Sequence, residues 1–297
     1  MPVLTSLYLC NRTVYAAVGV PAANEARVTA ACQTELPEGC LINGIITNEG
    51  ELTAALQGFF AANSLPTQRV ALAAGGSQFN HRVLTLPRMN EKKRAAVLTR
   101  ELSSGGADVT APLDDYMLLS TDKKSKADTV LATRVESAVI ENYIHLATAC
   151  GLKLHSIDLA LAGQIKLVGA TPALAKQSFV VLQFDGDSLI AGLYEEGQYK
   201  YSTRSRLFNP RGTEASGAEI GQKLSGLIQF QTAAKSEHPI TAVYFGGSTP
   251  DDLAACAPAC QALRLDAAEY PETVNVKLPE GVKLADVALA AGNLIGR

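Results

Sequence analysis

The 297-residue chain contains no apolar run approaching the roughly 18–20 residues that a membrane-spanning helix needs. A net charge of −3 gives no electrostatic drive toward nucleic acid or an anionic membrane surface. The basic runs, KKR at 92–94 and KKSK at 123–126, are short and read as solvated surface. No basic segment precedes the first apolar stretch, so no export signal is expected. Leu9, ahead of Cys10, is not the small residue that a lipidation site requires. The six cysteines (Cys10, Cys32, Cys40, Cys150, Cys256 and Cys260) stand at scattered spacings, which predicts reduced thiols and no disulfide framework. Cys256 and Cys260 can share one helical face, but no second half of a metal site is legible and the four histidines are isolated. No metal site is expected.

What is present is the patterning of an α/β chain, 47% apolar. Residues 3–9 and 14–20 read as a strand pair. Its turn, Cys10-Asn11-Arg12-Thr13, holds neither glycine nor carboxylate. In NGIITNEGELTAALQGFFAAN, Asn48 with Glu51 predicts a capped helix whose stripe is Leu52, Leu56, Phe59 and Phe60. RVALAAGGS (69–77) reads as a buried strand ending in glycines. HRVLTLP then reads as a strand, EKKRAAVLTREL as a helix capped by Asn90, and SSGGADVTAPLDD (103–115) as a loop. YMLLS and TVLATRV are predicted strands. ESAVIENYIHLATAC is a predicted helix with Val135, Val139, Tyr143, Leu146 and Cys150 along one face, and LKLHSIDLALAG is a strand passing into a helix. Residues 81–160 are thereby read as a compact α+β unit inserted between 1–80 and 161–175. The second half, 176–297, opens with a three-stranded meander. A helix with Ile220, Leu224, Leu227 and Ile228 follows, then ITAVYFGGS as a strand, and the small-residue helix LADVALAAGNLIGR. The hairpin at 179–194 echoes the one at 3–20 in pattern, although not in residues.

Two α/β halves that each open on a hairpin, an insert in the first and a late GGS resemble the actin, Hsp70 and sugar-kinase layout. LINGIITNEGELTAALQGFF, RVALAAGGSQFNHRVLTLPRMNEKKRAAVLTREL and YIHLATACGLKLHSIDLAL occur in that order, with FGGS behind them. Together they resemble the PilM-like type IV pilus assembly proteins of the actin-like, FtsA-like superfamily. The resemblance implies an α/β, actin-like (ribonuclease H-like) two-lobed fold with an inserted α+β subdomain of SHS2 or 1C type. Residues 1–80 with 161–175 would form the first actin-like subdomain, 81–160 the insert, and 176–297 the second subdomain with a reduced 2B. It also implies an adaptor binding the cytoplasmic N-terminal tail of a PilN-like inner-membrane protein, in a groove beside the insert. Such a protein would be cytoplasmic and peripheral at the inner face of the cell membrane through its partner. FtsA carries an amphipathic helix behind its last core helix, which is not expected here. The type II secretion scaffold GspL, also a degenerate actin-like fold, continues into a membrane span.

An actin-like nucleotide site makes three demands. Small residues in the hairpins let backbone N–H groups reach phosphates. Carboxylates orient Mg²⁺ or the attacking water. A glycine pair lets adenosine lie on the backbone. The family's first hairpin resembles D-x-G-x-x-x-x-K, and here Tyr8, Cys10 and Tyr15 stand at those places. The second resembles D-(I/L)-G-x-x-x-(T/S), with Gln183 at the acid and Asp185 at the first glycine. A shift of two restores Asp185-Gly186, which is also a common tight-turn dipeptide. YFGGS keeps its glycines. A residual nucleotide site is therefore expected from Asn11, Arg12 and Thr13, from Asp185, Gly186, Asp187 and Ser188, and from Gly246, Gly247 and Ser248. Glu219 and Lys223, at i,i+4, read as a surface ion pair. No catalytic residue is assigned and no cofactor is expected. An active ATPase with an unusual phosphate site for Mg-ATP, or a small-molecule kinase of the same superfold, stays open as the alternative.

Overall fold

The computed structural model describes residues 2–104 and 110–296. The chain begins with a meander of β1 (Leu4–Leu9), β2 (Thr13–Ala22) and β3 (Glu25–Glu35), then a small ribbon of β4 (Leu41–Ile42) and β5 (Ile45–Ile46). Next come α1 (Glu49–Ala62), β6 (Val70–Ala74), β7 (Asn80–Pro87), α2 (Glu91–Ser103), β8 (Pro112–Asp122) and β9 (Ala127–Glu136). The first half closes with α3 (Ser137–Ala149), β10 (Leu154–Leu159) and α4 (Ala160–Gly169). The second half runs β11 (Phe179–Asp185), β12 (Ser188–Glu195), β13 (Gln198–Arg206), α5 (Glu214–Ala233), β14 (Ala242–Gly246) and α6 (Pro250–Ala262). It ends with β15 (Asp266–Glu269), β16 (Val276–Lys277) and α7 (Leu284–Leu294).

Two sheets carry the same plan. One has the order β10-β6-β1-β2-β3-β16, the other β15-β14-β11-β12-β13. Each is built on an antiparallel hairpin, β1–β2 or β11–β12, with an antiparallel third strand outside it. On the hairpin's other side lie two parallel strands, β6 and β10 or β14 and β15. The echo read from the hairpins thus extends to five strands in each lobe.

Helices fill three layers around these sheets. α4 and α7 lie between them, in a core drawing on Leu4, Ala17 and Ala71 from one sheet and Phe179, Val181 and Tyr194 from the other. Beyond Asp286 in its first turn, α7 is buried on every side, as a helix between two sheets must be. Where α4 and α7 cross they touch through backbone: a Cβ on Gly292 would lie 2.2 Å from the Gly163 carbonyl oxygen. The stripe predicted for α1 packs with Tyr143 and Leu146 of α3 on the outer face of the first sheet. Ile220, Leu224 and Leu227 of α5 do the same on the second, joined by Cys256 and Cys260 of α6.

A separate three-stranded sheet, β7-β9-β8, carries α2 against it through Leu86, Leu98, Leu102, Val130 and Ala132. It is made from residues 80–136, less than the 81–160 stretch grouped from sequence. α3 turns Tyr143 and Leu146 into the first sheet's core, and β10 pairs with β6, so both belong to that sheet's layers. Val135, read on a helical face, lies in β9, next to its last residue. Of the predicted loop at 103–115, Pro112–Asp115 is strand and 105–109 lies outside the described residues. β3, β15 and β16 went unread because their mostly exposed residues lack strong alternation. β16 and α7, inside 176–297, return to the first sheet, where Val276 pairs with Ala26.

Candidate functional site: the cleft between the lobes and the groove beside β8

The two hairpins meet tip to tip. In the first, Cys10 N–H donates to the Thr13 carbonyl at 3.0 Å, which leaves Asn11 and Arg12 as the turn. Asn11 Oδ1 accepts the Asn43 N–H at 2.7 Å. The Asn43-Gly44 turn, at φ 51° and 83°, then presses against Gly75 and Gly76. A Cβ on Gly76 would come within 2.1 Å of the Asn43 oxygen, which explains both the NGII and the AAGGS segments as backbone-to-backbone contact. In the second hairpin Asp185 faces Ser188, and Gly186 takes φ +60° at the first central position of a two-residue turn. The stem of Arg12 lies 3.8 Å from where a Cβ on Gly186 would be. Beside the tips is a cavity of about 510 Å³, with Asn11, Arg12, Asn43, Asp187, Ser188 and Arg206 among its walls. Its charges are paired, Arg12 with Glu38 at 3.6 Å and Arg206 with Asp187 at 2.8 Å.

Behind the tips the space is filled with side chains. Asp185, only 1% exposed, is bonded to Arg204 of β13. Tyr8 and Cys10 of the opposite lobe lie against this pair. Burial pushes the Tyr8 phenol well above its ordinary range and the Cys10 thiol up to about 12, with the charge of Asp185 the next cause in both. Tyr15 is raised to about 12, by burial first and then by Cys10 and Asp185. Two buried atoms here lack a hydrogen-bond partner, Tyr8 Oη and Asp185 Oδ1. The acid that could orient a metal is thus already committed to an arginine.

The glycine pair is covered as well. Gln183 precedes the turn on β11, opposite Gly246 on β14. A Cβ on Gly246 would meet Gln183 Oε1 at 2.3 Å, and one on Gly247 would meet Nε2 at 2.7 Å. Arg211 spans the carboxyl ends of both strands, where ligands of open α/β sheets bind. Its guanidinium lies 4.3 Å over the Phe184 ring, donates to the Gly247 carbonyl at 2.9 Å and reaches the Gly186 carbonyl at 3.5 Å. Asp252 anchors it through two bonds and also completes the cap of α6 with Thr249. Burial alone would raise the Asp252 carboxyl, but the bonds from Arg211 and Thr249 hold it below the ordinary value. Glu219 pairs with Lys223 at 3.5 Å and accepts the backbone N–H groups of Phe208 and Asn209 at 3.1 and 3.2 Å. Ser248 Oγ is buried and unbonded.

The structure therefore gathers the expected residues of both turns and the glycine pair at one cleft. It places Arg204, Arg211 and Asp252 among them, none of which carried a signal in the sequence, and with them Gln183, which stood out only as the residue at the acid's place. As folded, these residues do not fit Mg-ATP: the carboxylate faces a guanidinium, and the glycine backbone faces an amide and a second guanidinium.

A second concavity follows β8. This strand pairs with β9 on one side only, which leaves its other edge open to α4 and β10. A cavity of about 210 Å³ lies beside Leu113–Met117, with Phe79, Ile140 and Ile157 in its walls. Another of about 610 Å³ continues past Leu118 and Leu119 to Ile165 and Gly296. Leu113 and Leu118 are 45% and 49% exposed. Asp115, Asp158 and Glu91 stand along the walls. β8 is stiffened from behind by Arg134, whose guanidinium takes both oxygens of Asp114 at 2.7 and 2.8 Å, and by Arg94, bonded to Asp128 at 2.7 Å and Tyr116 Oη at 2.8 Å.

No protein-family model matches the sequence, and no curated protein does. Solved structures do match. The PilM-PilN type IV pilus biogenesis complex shares 14% identity at a TM-score of 0.79, over 99% of each chain. The cytoplasmic domain of EpsL, an inner-membrane component of the type II secretion system of Vibrio cholerae, shares 12% at 0.55, over 100% of this chain and 96% of that one. A protein of unknown function with an actin-like ATPase fold, from Bacteroides thetaiotaomicron, shares 11% at 0.52, over 90% of each chain. The likeness is one of fold: the chain is an actin-like, two-lobed protein.

Proposed function

We propose that this chain is an actin-fold adaptor of type IV pilus assembly, or of a related secretion machine. In this reading it binds the cytoplasmic N-terminal tail of a PilN-like inner-membrane protein and does not hydrolyse ATP. The observation that carries the reading is the open edge of β8, flanked along its length by two cavities and by exposed leucines. An extended segment can add to such an edge by main-chain bonds, with alternate side chains entering the pockets. Asp115 and Asp158 on the walls of the smaller cavity favour a segment that carries positive charge there, while Arg94 and Lys166 balance the carboxylates of the larger one. The full-length likeness to a chain solved in a PilM-PilN complex supports the same partner class. Among the described residues no helix is long and apolar enough to cross a membrane, and the reading has the protein held at the inner membrane face by its partner.

The test is titration of the full chain with peptides from the cytoplasmic ends of candidate inner-membrane partners. Binding is expected, and Met117→Lys is expected to weaken it by about tenfold or more by placing a charge in a desolvated pocket. No binding by any such tail overturns the partner assignment. In parallel, Mg-ATP is expected to give neither turnover nor a shift in melting temperature, since a ligand that does not bind the native state cannot stabilise it. Turnover would restore the ATPase reading.

A further inference from the structure

We propose that Asp185, Arg204, Tyr8 and Arg211 form an internal clasp, which holds the lobes together at the place where a nucleotide bridges them in an actin-like cleft. In the nucleotide-binding arrangement, two hairpins and a glycine pair converge on a ligand that neither lobe holds alone. Here the same three elements converge on the chain's own charges. Arg211 ties the second hairpin turn to the glycine turn through the Gly186 and Gly247 carbonyls, and Asp252 fixes its direction. Arg204 neutralises Asp185 at the root of the same hairpin.

The link across the lobes is polar and buried. Tyr8 Oη belongs to the first lobe and Asp185 Oδ1 to the second; both are buried without a hydrogen bond of ordinary length, and Asp185 is among the groups that raise the Tyr8 phenol. A buried hydroxyl and carboxylate left apart cost free energy, and pairing with each other removes that cost. A phenol that donates to this carboxylate makes a charge-assisted bond, and closing that bond draws the first hairpin onto the second. The Arg12 stem on Gly186 seals the tips above it. The clasp goes beyond the absence of hydrolysis and is independent of what the β8 groove binds. With the clasp in place, closure of the cleft needs no ligand.

Hydrogen exchange on the full chain tests it. In Asp185→Asn, exchange at the amides of Cys10–Thr13, in the opposite lobe, is expected to rise by about tenfold, because local opening there depends on the clasp. Tyr8→Phe, which removes one hydroxyl and keeps the ring, is expected to raise exchange at 184–187 of the second lobe and serves if the asparagine variant does not fold. Millimolar Mg-ATP is expected to leave exchange in the unmodified protein unchanged. Effects confined to the mutated lobe in both variants overturn the clasp, and so does protection of both hairpins by Mg-ATP. Peptide binding at β8 is measured on the same samples, so loss of the clasp and failure of the adaptor reading give separate results.

Discussion

His81 of β7 and Ser202 of β13 meet at 3.0 Å, Nε2 to Oγ, and so join the small inserted sheet to the second lobe. The other ring nitrogen, Nδ1, lies 3.2 Å from the Phe79 carbonyl, which can only accept, so Nδ1 carries the proton and Nε2 receives the Ser202 hydroxyl. Ser202 in turn accepts from Tyr199 Oη at 2.8 Å. The chain of donors works only with a neutral imidazole.

A pH dependence follows from this contact. Burial lowers the His81 pKa from its ordinary 6.5, only partly opposed by the Phe79 carbonyl. Below 6.5 the unfolded chain binds a proton that the folded one resists. The contribution of His81 is therefore complete above 6.5 and is lost as pH falls toward the folded pKa. The slope for one group cannot exceed about 1.4 kcal/mol per pH unit. Urea midpoints between pH 7.5 and 5 are expected to fall more steeply for the unmodified protein than for His81→Gln. Equal slopes would remove His81 as the cause.

Two glycine substitutions are expected to move stability in opposite directions. A Cβ on Gly58, mid-helix in α1, would meet nothing within 4 Å, so Gly58→Ala is expected to stabilise by about 0.5–1 kcal/mol. Gly292→Ala drives a methyl into the Gly163 carbonyl and is expected to cost about 3 kcal/mol. Thermal unfolding of both variants decides it, and a neutral Gly292→Ala would contradict the backbone contact.

Arg134→Met removes the cation from a pair in which Arg134 is 5% and Asp114 13% exposed. The side chain also bonds Ser103 Oγ and the Thr99 carbonyl. Asp114, held below its ordinary pKa chiefly by Arg134, becomes an uncompensated charge, and a loss of roughly 3 kcal/mol is expected. Adding Asp114→Asn to the same chain should recover part of it. No recovery would mean that the loss comes from packing alone.

Tyr143→Phe tests the joint between α3 and the Asn43-Gly44 turn. The hydroxyl donates to the Gly44 carbonyl at 2.9 Å in a fully buried setting. Its loss is expected to cost about 1 kcal/mol and to raise exchange in the β4–β5 ribbon before any other segment. A uniform rise would place the effect elsewhere.

Much of the fold was legible because its elements have regular apolar periods. Leu52, Leu56, Phe59 and Phe60 repeat as a helix must, and Val70–Ala74 is wholly buried between neighbours. The two hairpin-opened halves pointed to two lobes, and the glycines of NGII and AAGGS mark a place where backbones touch. The grouping of α3 and β10 with the insert failed because periodicity says that Tyr143 is buried, not against which sheet. The site divides in the same way. The hairpin turns could be located from Asn11-Arg12 and Asp185-Gly186. Arg204 and Arg211 could not, because a guanidinium brought home by the fold looks, in sequence, like any solvated arginine. Gln183 misled similarly: read as a lost acid, it is the group that covers the glycine pair.

The duplicated five-strand plan assigns the insert to a particular joint. In the second lobe the step from β14 to β15 is made by one helix, α6; in the first, the matching step from β6 to β10 takes β7, α2, β8 and β9 before its own helix, α3. The second lobe is thus an internal blank, showing what the first would be without its groove. Apart from the β4–β5 ribbon and the added strand β16, what distinguishes the two hangs on a single crossover, outside both cores. A docking surface grown at such a joint can change its partner by exchange of one cassette, β7 to β9, while the sheets that carry it stay as they are.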